Sequence, residues 1–316
     1  MRFLGTFAAL STVLAVVQGV GVKPGQICNL VTFGDSYTDV VNTGYKSVAW
    51  PAYTAGSAGV KLFPFARSGA TCSNNITLRP TLSVFESQLP LYFEENANGT
   101  TRLDPSKTVY TLWIGTNDVG ANSLISGGNK ASIVDTTACA VNWVKTLYDS
   151  GARNFIFQNV SPDDPIAARP LVRCIFVAKP FLDSTTEHHE SVFMTELALS
   201  GNALSKLMLK DLASKLRGAH IALFDSHSLF QDMFDHPSLY LNGTAPLNVK
   251  GASNTCVFPL DGTPGTPVCT ATLGTDRDSF LWADELHPSE QADRIVAREI
   301  ASVIRGKANK WTTWFS

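Results

Sequence analysis

Near the start of the chain stands the run Leu30-Val31-Thr32-Phe33-Gly34-Asp35-Ser36-Tyr37-Thr38-Asp39. Its first half is almost continuously apolar, as expected for a strand that is buried on both faces of a parallel sheet. Its second half is a polar block of turn-forming residues. In open α/β sheets the functional sites lie beyond the carboxyl ends of the strands, so this block stands where a site belongs. A serine on such a turn offers a mobile hydroxyl, and Ser36 is therefore a candidate nucleophile.

Four more apolar runs follow along the chain, separated by segments with helical patterns. They span residues 61–65, 109–114, 154–160 and 221–224. This alternation predicts a three-layer α/β/α sandwich around a central, mostly parallel, five-stranded sheet. Ser36 follows the first run, Gly69 the second and Asn117 the third. We therefore expect these three groups to meet at one edge of the sheet.

Three segments have the spacing of amphipathic helices. The apolar stripe of residues 133–148 consists of Val134, Ala138, Val141, Val144 and Tyr148. The stripe of residues 186–216 includes Phe193, Leu197, Leu204, Leu207 and Leu216. The last helix is predicted to begin at Ser289, which can cap it. Residues 242–278 are rich in Gly, Pro, Asn and Thr and predict a long loop at the rim of the site.

Residues 1–19 have the composition of a secretory signal peptide. Arg2 supplies the positive charge, residues 3–17 form the apolar stretch, and Val17-Gln18-Gly19 suits a cleavage site. A membrane anchor is the alternative, but the stretch is short and lacks a charged stop. We therefore expect a secreted, extracellular protein. No repeat, linker or change of composition divides the remainder, which predicts a single catalytic domain over residues 20–316.

The charge balance argues against two classes of partner. The chain has 25 Lys and Arg against 27 Asp and Glu, a formal net charge of −2. Neither nucleic acid nor an anionic membrane surface is a natural partner for such a chain. Beyond the N-terminal segment no run approaches the roughly 20 apolar residues that span a bilayer.

The six cysteines predict disulfides, because their number is even and the compartment is expected to be oxidising. Cys256 and Cys269 bracket a loop rich in Pro, Gly and Thr, and we expect them to form one bridge. The others allow three pairings, and free thiols as well: Cys28, Cys72, Cys139 and Cys174. None of the spacings resembles a zinc site.

Sequons at Asn75, Asn98 and Asn242 predict glycosylation at the surface. A fourth sequon, at Asn159, ends an apolar run and is followed by Pro162. We do not expect this fourth asparagine to be modified.

A base and an orienting acid for Ser36 stand near the other end of the chain, in Asp284-Glu285-Leu286-His287-Pro288. Side chains three residues apart in a turn are neighbours. The Asp284 carboxylate can therefore hold the Nδ1–H of His287 and leave Nε2 to take the serine proton. His227, at the end of the fifth run, is the main rival base, but it has no aspartate at the supporting spacing.

Acyl transfer also needs hydrogen-bond donors for the developing oxyanion. The candidates are the Ser36 N–H, the Gly69 N–H and the side-chain amide of Asn117. The missing Cβ of Gly69 lets a substrate oxygen approach its backbone closely. Taken alone, each motif is more often a turn or a helix cap. Their joint occurrence at strand ends favours a serine hydrolase. The mechanism of such an enzyme requires no metal and no organic cofactor.

The motif blocks resemble those of the GDSL or SGNH hydrolase superfamily. Ser36, Gly69, Asn117 and His287 match the four namesake residues, and Asp284 matches the triad acid. The resemblance covers the chain from residue 20 onward and implies a flavodoxin-like fold with serine-esterase activity. The chain has no Gly-x-Ser-x-Gly, so it does not resemble an ordinary α/β-hydrolase.

Longer segments are similar to fungal members of carbohydrate esterase family sixteen, namely residues 50–53, 68–77, 112–118 and 279–291. Those members are secreted acetylesterases that release acetate from sugars and oligosaccharides of plant polysaccharide. The resemblance implies the same class of substrate here. Trp282, two residues before Asp284, is expected at the rim of the site, where it could bind a sugar by stacking. Trp113 lies within a strand and is expected in the core.

The leading hypothesis is a secreted carboxylic ester hydrolase that removes acetyl groups through an acyl-enzyme. A GDSL-type lipase or phospholipase on longer acyl chains is one alternative. It would need an extended apolar cleft or an amphipathic lid, which the polar segment 242–278 does not supply. A catalytically inert, secreted sugar-binding protein is the other, and the intact triad opposes it. We expect a monomer whose partner is an acylated small molecule or oligosaccharide, with no nucleic acid and no membrane.

Overall fold

The computed structural model describes residues 21–43, 47–100, 103–120, 123–125, 130–160, 184–257, 268–284 and 286–316. In residues 184–191, 256–257 and 268–269 it describes the backbone alone. The signal peptide predicted over residues 1–19 lies outside these ranges, and so does Cys174.

A six-stranded sheet lies at the centre of the described fold. Its strands are β1 (Asn29–Gly34), β2 (Lys61–Pro64), β3 (Thr108–Trp113), β4 (Asn154–Gln158), β5 (His220–Phe224) and β10 (Thr312–Trp314). Their order across the sheet is β10-β5-β4-β3-β1-β2. All neighbouring pairs are parallel except β10 with β5. The five predicted strands are therefore confirmed.

The sixth strand, β10, corrects the predicted count of five. It has three residues and pairs with residues 222–224 of β5. Such a short, half-exposed strand contains no apolar run, so its sequence does not distinguish it from an irregular tail. Trp314 and the following Phe315 pack on opposite faces of the sheet, Trp314 against one core and Phe315 against the other.

Alternate side chains of the parallel strands enter two separate cores. In β1, Leu30 packs into one core, and Val31 and Phe33 pack into the other. All three are fully buried. A strand with two buried faces must be apolar at almost every position, which explains the continuous run in the sequence.

Helices cover both faces of the sheet and complete the three layers. One face carries α1 (Trp50–Ala58), α6 (Ser226–Asp235) and α7 (Glu290–Ile304). The other carries α2 (Leu89–Ala97), α4 (Ile133–Asp149) and α5 (Ser184–Ala213). The four-residue α3 (Thr116–Val119) follows β3 at the edge of the sheet. None of the helices in the described part of the chain is long and apolar enough to cross a membrane.

The predicted apolar stripe of α4 is partly wrong. Val141 and Val144 are buried as expected, but Val134 is 48% exposed. The buried stripe is rotated so that Trp143 faces the sheet, where its ring meets Phe33 edge-on with 5.8 Å between centroids. Burying the large apolar surface of the Trp143 indole is more favourable than burying the smaller surface of Val134.

The stripe of α5 is also rotated from the predicted one. Leu207 is 66% exposed, whereas Ala198 and Leu209 are buried. The helix approaches α4 through small residues: a Cβ on Gly201 would lie 3.0 Å from a methyl carbon of Ile133. Close packing of α5 against α4 therefore favours alanine and glycine at the contact, and Leu207 stays exposed to solvent.

Residues 242–278, predicted as a long loop, contain three strands: β6 (Asn248–Ala252), β7 (Asn254–Val257) and β8 (Val268–Ala271). β6 pairs in parallel with the later strand β9 (Phe280–Trp282), and β7 pairs antiparallel with β8. The β7–β8 register places Cys256 opposite Cys269. Their side chains lie outside the described residues, so this disulfide remains a prediction.

One disulfide joins Cys72 to Cys139, a pairing that the sequence left open. It connects the segment after β2 to α4 across a separation of 67 residues. Cys28 is a free, exposed thiol. The bridge therefore fixes a loop that also carries Gly69, three residues before Cys72.

Replacing both Cys72 and Cys139 by serine should lower the free energy of unfolding by about 4 kcal/mol, because a bridge over a loop of this length restricts the unfolded chain. Urea unfolding followed by circular dichroism measures the change. Cys28→Ser is the matched control and should change stability by no more than about 0.5 kcal/mol. Equal losses in the two variants would contradict the structural role of the bridge.

Candidate active site

The turn that carries Ser36 begins at a glycine that the sheet requires. Gly34 ends β1 with φ 144°, and a Cβ there would lie 2.2 Å from the carbonyl oxygen of Trp113 in β3. The next residues close a tight turn, because the N–H groups of Thr38 and Asp39 both donate to the carbonyl of Asp35 at 3.0 Å. Ser36 is left half-exposed just beyond the carboxyl end of β1.

His287 contacts Ser36 directly, with 2.8 Å between Nε2 and Oγ. The histidine lies between β9 and α7, and Ser289 caps α7 by accepting a hydrogen bond from the Ala292 N–H. Its other ring nitrogen, Nδ1, lies 2.9 Å from Oδ2 of Asp284. The structure thus brings together the three residues that the sequence proposed as nucleophile, base and acid.

Asp284 is held as a carboxylate by hydrogen bonds. Burial by itself would raise the pKa of Asp284, but the His287 ring and the backbone N–H groups of His287 and Leu286 lower it below the usual value. The two amides donate to Oδ1 at 2.7 and 2.8 Å. A carboxylate at Nδ1 keeps the proton on that nitrogen, so the Nε2 lone pair faces the hydroxyl of Ser36.

Tyr37 links the serine turn to the histidine loop. Its hydroxyl donates to the carbonyl of Leu286 at 2.5 Å. Its ring packs edge-on against Trp113, with 5.2 Å between centroids, and lies 5.9 Å from the ring of His287. Tyr37 was not predicted as a functional residue, although it directly follows Ser36. Only the fold shows that its partner is 249 residues away.

The three predicted oxyanion donors lie in segments that follow three adjacent strands, since β1 lies between β2 and β3. Within the described part of the chain, the N–H groups of Ser36 and Gly69 have no protein acceptor. Gly69 adopts φ 78°, and a Cβ on it would lie 2.9 Å from the methyl carbon of Thr81. Asn117 donates from Nδ2 to the carbonyl of Ala70 at 2.9 Å, which fixes it beside the Gly69 segment.

Asp39 connects the Gly69 segment to the serine turn through hydrogen bonds. Its Oδ2 accepts from the N–H and the hydroxyl of Ser68 at 2.8 and 3.0 Å. Its Oδ1 accepts from the N–H groups of Val41 and Asn42. Asp39 was not predicted to have a role in the site. The signal available in the sequence was an aspartate three residues after the candidate nucleophile.

Two further carboxyl groups are buried beneath the site, and their partners do not offset the effect of burial on the pKa. Burial raises the pKa of Asp35 to about 7, against the opposing effects of the Tyr37 N–H and the His287 charge. Burial also raises the pKa of Asp118 to about 6, opposed by hydrogen bonds from Thr77 and Cys72 and by the charge of Arg79. These acids therefore differ from Asp284, whose partners lower its pKa.

The prediction that Trp282 lies at the rim of the site is wrong. Its side chain is 0% exposed and packs against Phe230 of α6, with 5.6 Å between ring centroids. Side chains alternate along a strand, and β9 directs this one into the core. Trp113 is buried as expected.

The remaining predicted positions lie away from the triad. His227 follows β5, three strands from β1, so His287 and not His227 contacts Ser36. The three asparagines predicted to carry glycans are exposed, namely Asn75, Asn98 and Asn242. Asn159 is buried and donates to Asp225 at 2.8 Å.

Comparisons with known proteins found similarity over most of the chain. The family model described as GDSL-like lipase/acylhydrolase matches residues 30–300. An acetylesterase of Hypocrea jecorina is 29% identical to this chain, and the similarity covers 90% of this chain and 91% of the acetylesterase. An acetylesterase of Thermothelomyces thermophilus is 25% identical, with 96% and 98% covered. The solved acetylxylan esterase Axe2 of Geobacillus stearothermophilus is similar with a TM-score of 0.46 and 14% identity, covering 90% of this chain and 96% of its own.

Asp284→Asn should lower kcat for p-nitrophenyl acetate by about 10⁴-fold, because an amide donor at Nδ1 would favour the tautomer in which Nε2 carries the proton. Steady-state kinetics at neutral pH measure the loss. Asp149→Asn, on the exposed end of α4, is the control and should retain full activity. A loss below tenfold in Asp284→Asn would show that the carboxylate does not set the tautomer.

Asp35 should make stability depend on pH. Its usual pKa is near 3.8 and its folded value is about 7. Between these values the folded state retains a proton that the unfolded state has lost, so the stability falls as pH rises. Relative to Asp35→Asn, the wild-type free energy of unfolding should fall by about 3 kcal/mol between about pH 4 and pH 8. Urea titrations across this range measure it, and parallel curves for the two proteins would refute it.

Proposed function

The chain belongs to the family of GDSL-like lipases and acylhydrolases and is a carboxylic ester hydrolase, and we propose that it hydrolyses short acyl esters, above all acetyl esters of sugars or oligosaccharides from plant polysaccharide. The observation that carries the proposal is the 2.8 Å contact between Ser36 and His287, with Asp284 behind the histidine. The acetylesterases among the relatives support the acetyl group as the acyl part.

The reaction proceeds in two steps. Ser36 Oγ attacks the ester carbonyl while His287 Nε2 takes its proton, and the same proton is then given to the departing sugar alcohol. Water next attacks the acetyl-enzyme with His287 as base, which releases acetate and restores the serine. Asp284 holds the imidazole in position and stabilises its positive charge during both steps.

The oxyanion of each tetrahedral intermediate is held by the N–H groups of Ser36 and Gly69 and by the side chain of Asn117. These donors stand on adjacent strand ends before substrate arrives. Donors that need not reorganise stabilise the transition state more than water does, and each is typically worth about 3 kcal/mol.

Two alternatives receive less support. A lipase acting on long acyl chains needs an apolar cleft or a mobile amphipathic lid, whereas the described parts of residues 242–278 contain strands and a short 3₁₀ turn at Gly274–Ser279. A catalytically inert sugar-binding protein would need an aromatic platform, and Trp282 is buried. The assembled triad also opposes this second alternative.

We further propose that the protein is secreted after removal of residues 1–19 and acts as a monomeric, single catalytic domain over residues 20–316. The composition of the N-terminal segment supports export. The Cys72–Cys139 bridge suits an oxidising compartment, and the exposure of Asn75, Asn98 and Asn242 suits glycosylation.

Hydrolysis of p-nitrophenyl acetate, butyrate and octanoate tests the proposal. We expect the highest kcat/KM with acetate and a loss of at least about 10⁴-fold in Ser36→Ala, since its hydroxyl forms the acyl-enzyme. Ser106→Ala, in an exposed 3₁₀ turn, is the control and should match the wild type. A maximum at octanoate would favour the lipase, and full activity of Ser36→Ala would exclude the proposed nucleophile.

A further inference from the structure

Arg79 lies beside the proposed oxyanion hole and has no part in the mechanism so far. It follows Leu78 in the connection between β2 and α2, and its side chain is half-buried. Its Nη1 donates to Oδ1 of Asn117 at 3.2 Å, and its Nε donates to the hydroxyl of Ser123 at 3.3 Å. The guanidinium thus contacts Asn117, whose side-chain amide is the proposed donor to the oxyanion.

These contacts fix which end of the Asn117 amide is the donor. A guanidinium has only donors, so the oxygen of Asn117 must face Arg79. The carbonyl of Ala70 has only an acceptor, so the nitrogen must face the Gly69 segment, where it donates at 2.9 Å. An amide nitrogen carries two hydrogens, and the one not used by Ala70 is the donor for a substrate oxygen. A flipped amide would place two donors against each other at Arg79.

A positive charge at Oδ1 also strengthens the donor at Nδ2. Charge-assisted hydrogen bonds are about twice as strong as neutral ones, and bonds in a series polarise one another. Drawing electron density toward the oxygen makes the amide hydrogens more positive. Because Asn117 is buried, water does not screen this effect strongly.

The guanidinium of Arg79 keeps its charge despite partial burial. Burial lowers the pKa of Arg79 below its usual value, and the charges of Asp118 and Asp35 oppose this effect only in part. Asp118 is itself fixed, since it accepts from the Thr77 hydroxyl at 2.7 Å and from the Cys72 N–H at 3.0 Å. An arginine remains protonated at neutral pH in such an environment.

We propose that Arg79 is a positioning residue of the oxyanion hole, which orients and polarises the Asn117 amide so that its second N–H meets the oxyanion. This inference rests on the proposed function, because it assumes that Asn117 stabilises an oxyanion. It assigns Arg79 no contact with substrate.

A double-mutant cycle tests whether Arg79 acts through Asn117. The variants are Arg79→Met, Asn117→Ala and their combination, each measured for kcat and KM with p-nitrophenyl acetate. We expect Asn117→Ala to lower kcat by about 100-fold or more. Arg79→Met should lower kcat by about 10- to 50-fold, with KM changed by less than about threefold. In the Asn117→Ala background the Arg79 substitution should have almost no further effect on kcat, because its target is missing.

Two other variants separate positioning from a general loss of structure. Arg79→Lys retains the charge and should recover part of the lost kcat. Ser123→Ala removes a partner of Arg79 while leaving the guanidinium in place, and should lower kcat by about two- to fivefold in the wild type and not in Asn117→Ala. Because Ser123→Ala is a small change, it tests the inference even if Arg79→Met does not fold.

The outcomes distinguish the inference from its premise. Multiplicative losses in the double variant, with Asn117→Ala impaired, would overturn the role of Arg79 and leave the proposed function intact. Wild-type kcat in Asn117→Ala would remove the oxyanion role of Asn117, and the inference with it. A loss in Arg79→Met seen only in KM would identify a substrate contact and would also overturn the inference.

Discussion

The close approach of β1 to β3 at Gly34 is the constraint on which the site depends. No Cβ fits between this position and the Trp113 carbonyl, so the chain leaves the sheet at a fixed point. Gln88 holds the same residue from both sides, since its side chain accepts from the Gly34 N–H and donates to the Gly34 carbonyl. The turn that carries Ser36 therefore begins at a rigidly held residue. The groups after β2 and β3 lie beside it because the three strands are neighbours.

Much of this arrangement could be predicted from the sequence, because the decisive features are local. Continuous apolar runs indicated the five parallel strands, and an aspartate three residues before His287 indicated the acid. The features that escaped prediction depend on contacts between distant parts of the chain. The pairing of β10, the partners of Tyr37 and Arg79 and the Cys72–Cys139 bridge are of this kind. For Trp282 a local feature was misleading. Its nearness to Asp284 in sequence suggested that it is exposed, but the alternation of side chains along β9 buries it.

Three aspartates near the site illustrate how partners decide the state of a buried acid. Asp284 receives two backbone amides and an imidazole, and its pKa is lowered despite burial. Asp35 lies next to the nucleophile in sequence with fewer donors, and burial raises its pKa. Asp118 lies between these cases, because Arg79 and two hydrogen bonds oppose the effect of burial only in part. The fold thereby favours a negative charge on Asp284 beside His287 and disfavours one on Asp35 and Asp118.

The contact between Ser36 and His287 spans 251 residues of sequence. Ser36 lies on the turn that follows the first strand of the sheet, whereas His287 is held by the turn that leads into the last helix. In the proposed mechanism, a growing polypeptide that has not yet delivered this turn contains the nucleophile without its base. Under that mechanism, hydrolytic competence arises only as the carboxyl-terminal segment docks. Completion of the fold and activation of the serine are one event.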